Sequence, residues 1–266
     1  MWLRVEHTTS YTYDQPVAEA YTELRLRPLA DGGQHCSAFR LETDPPGLRV
    51  REYRDHFGNE VLHFDVLEPH DRLEVTAISE VMTPDAFVHG PRRPSPLERH
   101  DFLMPTDYAP LSDWVREFVA GGGGSGAAER ACELMRAINS RLTYEPGATD
   151  VKTRADEALE LGRGVCQDFA HILLAACRLE GIPARYVSGY LHPGVEGGTA
   201  ASHAWVDAWD DDHGWVSLDP THDREQNADY VRVAVGRDYA DVPPTRGVYR
   251  GGASETLDVS VTLQQL

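Results

Sequence analysis

The chain has 266 residues, of which 41% are apolar, and this is enough for a substantial hydrophobic core in one large or two small domains. Its 43 acidic residues outnumber its 25 basic residues and give a formal net charge of -18. Such a charge repels phosphate backbones and anionic lipid surfaces, so nucleic acid and membranes are excluded as expected partners. The composition leaves the oligomeric state open.

The N-terminal sequence and the cysteines indicate the expected cellular location of the protein. Residues Met1 to His7 alternate like a strand and have no apolar stretch typical of a signal peptide, and no segment reaches about 18 uncharged apolar residues. We therefore expect a cytoplasmic protein. The cysteines are too sparse for a disulfide framework and lack the CxxC spacing of zinc sites, so we expect free thiols and no structural metal at Cys36, Cys132, Cys166 and Cys177. We expect no cofactor.

The first part of the chain is rich in short alternating segments. Apolar and polar residues alternate at Leu24-Arg25-Leu26-Arg27 and from Arg72 to Ile78, with turn residues between such segments. This predicts a β-sandwich-like N-terminal domain over residues 1–83. Six prolines follow in residues 84–110 and predict a linker. The C-terminal extension, residues 236–266, ends in an alternating segment that can join either sheet as a strand.

Residues 111–235 are predicted to be α+β, with helices preceding strands. Helical spacing predicts helices at 111–119, 127–142, 154–161 and 166–180, and the last of these is apolar nearly all round, which is typical of a buried helix. Strands are predicted at 184–191 and, as a hairpin, at 202–209 and 215–219. The expected core is thus a buried helix packed on an antiparallel sheet. Glycine-rich stretches at 121–126 and 193–198 predict a tether and a loop.

Cys166 begins the predicted buried helix. The unpaired N–H groups and the dipole of a helix N-terminus favour an anion, and therefore favour the thiolate form of a cysteine at that place. The flanking Gly162 and Gly164 allow close approach of backbone or substrate. Buried cysteines are also common as small apolar residues. From this segment alone, a nucleophile and a core residue are equally good interpretations.

The predicted hairpin supplies a base and an acid. Strand alternation puts His203 and Asp207 on one face, and a turn centred near Asp212 puts Trp205 opposite Asp219. Asp219 then lies one diagonal step from His203, about 7–8 Å between Cα atoms, whereas Asp207 is about 13 Å along the strand. Asp219 is therefore the better partner for the imidazole. A cysteine, a histidine and a carboxylate in this relation predict a triad for acyl transfer.

These residues lie in three ordered motifs, which are Gly164-Val165-Cys166-Gln167-Asp168, His203-Ala204-Trp205-Val206-Asp207 and Asp219-Pro220-Thr221. With the intervening Gly181-Ile182-Pro183, they resemble the transglutaminase-like superfamily, a branch of the papain-like folds. The first 80 residues also resemble the β-rich N-terminal domain of its bacterial members, through His7-Thr8-Thr9 and Tyr53-Arg54-Asp55-His56-Phe57-Gly58-Asn59. The resemblance implies Cys166 as nucleophile, His203 as base and Asp219 as orienting acid. Asp207 stands where relatives often have Glu.

The expected function is that of a thiol-dependent amide-bond enzyme, a cysteine peptidase or amidase that forms a thioester at Cys166 and acts on a peptide or protein amide. The alternatives are a protein-glutamine transglutaminase, in which an amine accepts the acyl group, and a non-catalytic binding or scaffold protein. The Cys166 backbone N–H is the expected oxyanion donor, with Tyr144 or Gln167 as side-chain candidates. A metal site made by Cys166, His203 and His222 is disfavoured, because Cys166 and His203 already have a role without metal.

Overall fold

The structure is a computed structural model that describes residues 1–88, 93–120, 123, 126–193 and 201–266, with the backbone alone at Ala201. Most of the predicted tether at 121–126 and of the predicted loop at 193–198 lies outside the described residues. Within these ranges, no helix has the length and apolar character needed to cross a membrane.

The helices and strands are largely segregated along the chain, as in an α+β protein. The helices are α1 Pro96–Leu103, α2 Asp113–Val119, α3 Ala127–Arg141, α4 Ala155–Leu161 and α5 Cys166–Leu179. The strands are β1 Trp2–Val17, β2 Glu19–Leu24, β3 His35–Asp44, β4 Leu48–Arg54, β5 Glu60–Val66, β6 His70–Met82, β7 Thr143–Tyr144, β8 Arg163–Gly164, β9 Ala184–Leu191, β10 Ala201–Asp210, β11 Gly214–Asp219, β12 Arg224–Glu225, β13 Tyr230–Gly236, β14 Thr245–Arg250 and β15 Glu255–Gln265.

The N-terminal strands form the predicted β-sandwich. One sheet has the order β15-β1-β6-β3 and the other has the order β14-β2-β5-β4. Alternate residues of these strands point inward, and their apolar side chains, such as Leu24, Phe64 and Val75, are buried together in one core. The two C-terminal strands therefore belong to this sandwich, with β15 paired to β1 from Leu3↔Gln265 to Tyr13↔Glu255.

The second part of the chain packs a helix on an antiparallel sheet, as the sequence predicted. The sheet has the order β12-β11-β10-β9-β13. Helix α5 is buried on all sides from Phe169 to Cys177, and it packs against the Ala204, Val206 and Ala208 face of β10. The apolar burial fixes the position of the helix, and with it the position of Cys166 at its first turn.

The proline-rich segment 84–110 is not wholly irregular, because it contains helix α1. Ser95 caps this helix: the side-chain oxygen of Ser95 accepts a hydrogen bond from the Glu98 N–H, and the Glu98 carboxylate accepts one from the Ser95 N–H. Pro96 occupies the first turn, where its missing N–H costs nothing. The Ser-Pro-x-Glu pattern is a capping box, and it was the available sequence signal for this helix.

Two side-chain amides join the sandwich to the edge strand β13. Asn59 donates to the Val235 carbonyl at 2.8 Å and accepts from the Val235 N–H at 2.7 Å. Gln34 makes the same pair of bonds with Arg232, at 2.9 and 2.8 Å. Both amides thus pair with the strand edge as a neighbouring strand would, and they hold the two halves of the molecule in a fixed relation.

We expect Asn59→Leu to lower the free energy of unfolding by about 2–4 kcal/mol, because it leaves the buried N–H and C=O of Val235 without partners. Urea unfolding followed by circular dichroism measures this. Gln264→Leu, which removes an exposed amide from β15, is the control and is expected to change stability by less than about 0.5 kcal/mol. Equal effects of the two substitutions would contradict the role given to Asn59.

Candidate active site

Cys166 is the first residue of helix α5, where its backbone N–H has no acceptor within the helix. The carboxylate of Asp168 fixes the turn that leads into it, since one of its oxygens accepts from the Val165 N–H at 2.7 Å and from the Thr149 hydroxyl at 2.6 Å. Asp168 is fully buried, and burial raises its pKa. A side chain at position 164 would place its Cβ 2.8 Å from the Asp168 Cβ, so glycine is required there.

His203 and Asp219 meet across the predicted hairpin. The strands β10 and β11 pair with Val206 opposite Leu218, which puts Trp205 opposite Asp219 as the sequence predicted. The His203 Nε2 lies 2.7 Å from Asp219 Oδ2. His203 also makes a hydrogen bond with the Cys166 side chain, for which Nδ1 is the remaining ring nitrogen. The structure therefore brings Cys166, His203 and Asp219 together in one hydrogen-bonded chain.

The protonation of this chain follows from its surroundings. Burial of His203 disfavours its charged form, but its hydrogen bonds to Asp219 and Cys166 outweigh burial and raise the pKa of the imidazole to about 9. Burial would also raise the pKa of Asp219, but hydrogen bonds from His203 and His222 hold that pKa well below its usual range. An ionised Asp219 next to a protonated His203 is thus the favoured state at neutral pH.

Asp219 has further partners that sequence reasoning missed as orienting groups. The Oδ2 atom accepts from His222 Nδ1 at 2.8 Å and from the Tyr230 hydroxyl at 2.6 Å, while Oδ1 accepts from the Thr221 N–H at 2.9 Å. Arg224 donates in turn to the Tyr230 oxygen at 2.8 Å. His222 follows Asp219 by only three residues, and this short spacing could have identified it from the sequence as a partner of Asp219. Tyr230 lies on β13, and no local pattern links it to Asp219.

Asp207, the carboxylate rejected on distance, has a different role. It is fully buried and accepts from both terminal nitrogens of Arg232, at 3.0 and 2.5 Å, and from Arg185 Nε at 2.7 Å. Ser217 also donates to it at 2.6 Å. These bonds place Asp207 in a buried ion-pair network within the sheet.

The two oxyanion candidates, Tyr144 and Gln167, both lie near Cys166. Tyr144 pairs with Gly164 through the short parallel strands β7 and β8, and it is 52% exposed. Its pKa is raised mainly by partial burial and to a smaller extent by the charge of Cys166. The Gln167 side chain lines the cleft beside the cysteine and donates to the Val151 carbonyl at 3.1 Å. Both side chains are within the neighbourhood of the thiol.

A cleft of about 500 Å³ opens over Cys166 and His203. One side is formed by the first turn of α5 and by β9 and β10. The other side belongs to the sandwich, with His7 and Thr9 from β1 and with Leu257, Val259 and Val261 from β15. The cleft therefore lies between the two halves of the molecule.

The group His203, Asp219 and His222 offers three donor atoms within 4.8 Å of one another, as a metal site would. This differs from the set considered from the sequence, in which Cys166 took the place of Asp219. Each of these three atoms is already engaged in a hydrogen bond, and a metal bound to all three would break the bond between His203 and Asp219. A metal at this place would compete with the triad rather than support it.

Comparison with known families agrees with both halves of the structure. The model of the bacterial transglutaminase-like N-terminal region matches residues 3–82, and the model of the transglutaminase-like superfamily core matches residues 113–220. The chain belongs to the transglutaminase-like superfamily. The resemblance proposed from the sequence motifs and the α+β, papain-like fold class are both confirmed.

Individual proteins similar to this transglutaminase-like chain were found by sequence and by structure. An uncharacterized protein of Mycobacterium leprae is 39% identical over 281 residues, covering 100% of both chains. A protein-glutamine gamma-glutamyltransferase of Pseudomonas aeruginosa is 31% identical over 139 residues, which are 44% of this chain and 20% of that enzyme. The fold is shared with a candidate cysteine protease of Cytophaga hutchinsonii at a TM-score of 0.77 and 20% identity, covering 100% of this chain and 91% of that one.

The two buried carboxylates on the hairpin are expected to respond differently to amidation. Asp207→Asn leaves the charge of buried Arg232 poorly balanced, so we expect a loss of about 3–5 kcal/mol of unfolding free energy with an unchanged rate of Cys166 alkylation at pH 6.5. Asp219→Asn removes the charge that stabilises the His203 imidazolium, and we expect alkylation at pH 6.5 to slow by about tenfold or more.

Urea unfolding and iodoacetamide labelling, both followed on each variant, measure the two effects. Slower alkylation in the folded Asp207→Asn protein, with Asp219→Asn unaffected, would reverse the roles assigned to these residues.

Proposed function

We propose that the protein is a cysteine-dependent enzyme of amide bonds, and that it acts as a peptidase or amidase through a thioester at Cys166. The observation that carries this proposal is the hydrogen-bonded chain from Cys166 through His203 to the buried Asp219, of which Cys166 and His203 line an open cleft. Membership of the transglutaminase-like superfamily supports the same chemistry.

In the proposed mechanism, the Cys166 thiolate attacks the carbonyl carbon of a bound amide. The protonated His203 then gives its proton to the departing nitrogen, so the amine leaves and a thioester remains. Neutral His203 next takes a proton from water, whose oxygen attacks the thioester and releases the acid and the thiolate. Asp219 holds the imidazole in the orientation that both proton transfers need.

Stabilisation of the oxyanion is assigned to the helix N-terminus. The Cys166 N–H has no intrahelical acceptor and is available to the oxygen of the tetrahedral intermediate. Gln167 and Tyr144 are the side-chain candidates to assist it. Gln167 has the better position, because it lines the cleft that contains the thiol.

Water is proposed as the acyl acceptor in preference to an amine. A site that receives a lysine amine benefits from a carboxylate that attracts the ammonium group before it is deprotonated. Among the described residues that line the cleft, no aspartate or glutamate is present. Water needs only to reach His203.

The second candidate is a protein-glutamine transglutaminase. It is favoured by the match to the Pseudomonas aeruginosa enzyme, which covers 44% of this chain. Both activities pass through the same thioester and differ only in the acceptor. A binding or scaffold protein would have no need of the thiol, imidazole and carboxylate in hydrogen-bonded order.

We expect iodoacetamide to modify Cys166 before the other cysteines at pH 6–7. His203, whose pKa is about 9, keeps its proton in this range and stabilises a neighbouring thiolate, so Cys166 is expected to react faster than a free thiol at pH 6–7. Burial raises the pKa of Cys36 and Cys132, and raises that of Cys177 to about 12, so these thiols react more slowly.

Intact-mass kinetics over pH measure the alkylation, with Cys166→Ala to identify the site. In His203→Ala the rate should instead rise with pH, as for a free thiol, whose pKa is about 8.5. The nucleophile assignment fails if Cys166 reacts no faster than a free thiol at pH 6–7, or if loss of His203 leaves the rate unchanged.

We expect glutamine-containing peptide amides to yield mainly hydrolysis products, both alone and with a primary amine present, because water is the proposed acceptor. Mass spectrometry distinguishes the free acid or cleaved peptide from the amine adduct. Cys166→Ala is the control and should form neither product. Amine incorporation as the main outcome would establish the transglutaminase alternative instead.

A further inference from the structure

The cleft wall opposite Cys166 is formed by one face of the neighbouring strands β1 and β15. In the pairing of β1 with β15, His7 lies opposite Val261, Thr9 opposite Val259 and Tyr11 opposite Leu257. Directly opposed residues of antiparallel strands share a face, so these pairs point the same way. All of them except Tyr11 line the cleft that contains Cys166 and His203.

The β15 side of this wall is apolar and open. Leu257 is 51% exposed and Val259 is 47% exposed, while Val261 is partly buried against the core between the two halves. Single exposed apolar residues are common, but here three follow one another along one face of a strand inside the cleft. We call Leu257, Val259 and Val261 the β15 patch.

Apart from Cys166 and His203, the described residues that line the cleft are uncharged. Charged residues make up 26% of the chain, yet none of the described residues that line the cleft is Asp, Glu, Lys or Arg. The histidine on the wall is neutral as well, because burial lowers the pKa of His7 to about 4, and its ring is hydrogen-bonded to Thr9 at 3.1 Å and Tyr190 at 3.0 Å. A charged side chain bound against this wall would lose its hydration with no ionic partner among the wall residues of β1 and β15.

We infer that the β15 patch is a specificity subsite that receives an apolar side chain of the peptide whose amide bond Cys166 attacks. This inference depends on the function proposed above and names its substrate class as uncharged, apolar peptide segments. Side chains of an extended peptide point alternately to opposite sides. If the reacting carbonyl faces Cys166, a neighbouring side chain faces the wall.

The patch is contributed by a part of the chain outside both family matches, which end at residues 82 and 220. The chemistry of attack thus belongs to the matched core, while the selection of the substrate belongs to the C-terminal strand. Substitutions in β15 can therefore change the preferred substrate without altering Cys166, His203 or Asp219.

The inference is tested by binding, with Cys166→Ala protein and two acetylated pentapeptide amides that differ only in the residues flanking a central glutamine. One peptide has leucine on both sides and the other has glutamate. Isothermal titration calorimetry is expected to show about tenfold or greater preference for the leucine peptide. Val259→Thr, which keeps the shape and the β-branching, should weaken binding of the leucine peptide by about tenfold.

Val248→Thr is the matched control, because Val248 is an exposed strand residue that does not line the cleft, and it should leave binding unchanged. Val259→Lys should shift the preference toward the glutamate peptide, since it supplies the missing cation. Equal binding of the two peptides, no binding of either, or equal effects at positions 259 and 248 would overturn the inference.

Failure of the proposed function would be seen separately. It would appear as absent amide turnover in the wild-type protein, whereas the peptide preference is measured in protein that lacks the thiol.

Discussion

One buried oxygen, Oδ2 of Asp219, accepts hydrogen bonds from three side chains, and the position of the cysteine's base depends on it. His203 reaches it from β10, His222 from the turn after β11 and Tyr230 from β13. A fully buried carboxylate is stable in its ionised form only if such donors surround it. The correct orientation of His203 toward Cys166 is therefore a property of the assembled sheet, because no two of these three donors come from the same strand.

Side chains of a β-strand alternate between its two faces, and this alternation explains why much of the site could be predicted from the sequence. The turn at Asp212 fixes the pairing of β10 with β11, and the pairing decides that Asp219, and not Asp207, lies beside His203. The same alternation separates the side chains of β10 into two groups, one on each face of the strand. Ala204, Val206 and Ala208 pack on α5, while Trp205 and His203 lie on the other face with Tyr230. Apolar periodicity likewise predicted helix α5 and its start at Cys166, because a buried helix leaves a strong local pattern.

The features that escaped prediction are contacts between residues far apart in the chain. Tyr230 approaches Asp219 only because β13 joins the sheet beside β9, and β15 reaches the cleft only because it pairs with β1 along its whole length. The alternating sequence of β15 predicts a strand but does not say which sheet it joins. Asn59 and Gln34 are similar cases, since an amide that pairs with a distant strand edge has no local signature.

Two buried carboxylates on one hairpin differ in what balances their charge. The partners of Asp207 include the guanidinium groups of Arg185 and Arg232, which do not release protons at any physiological pH. The partners of Asp219 include two imidazoles, and an imidazole can release its proton where a guanidinium cannot. Burial and the charge of Asp219 raise the pKa of its third partner, the Tyr230 phenol, which therefore keeps its proton. A carboxylate held by arginine can only stabilise the fold. A carboxylate held by histidine can keep a proton near the thiol and allow it to leave, and this difference makes the Asp219 end of the hairpin the place where proton transfer can occur.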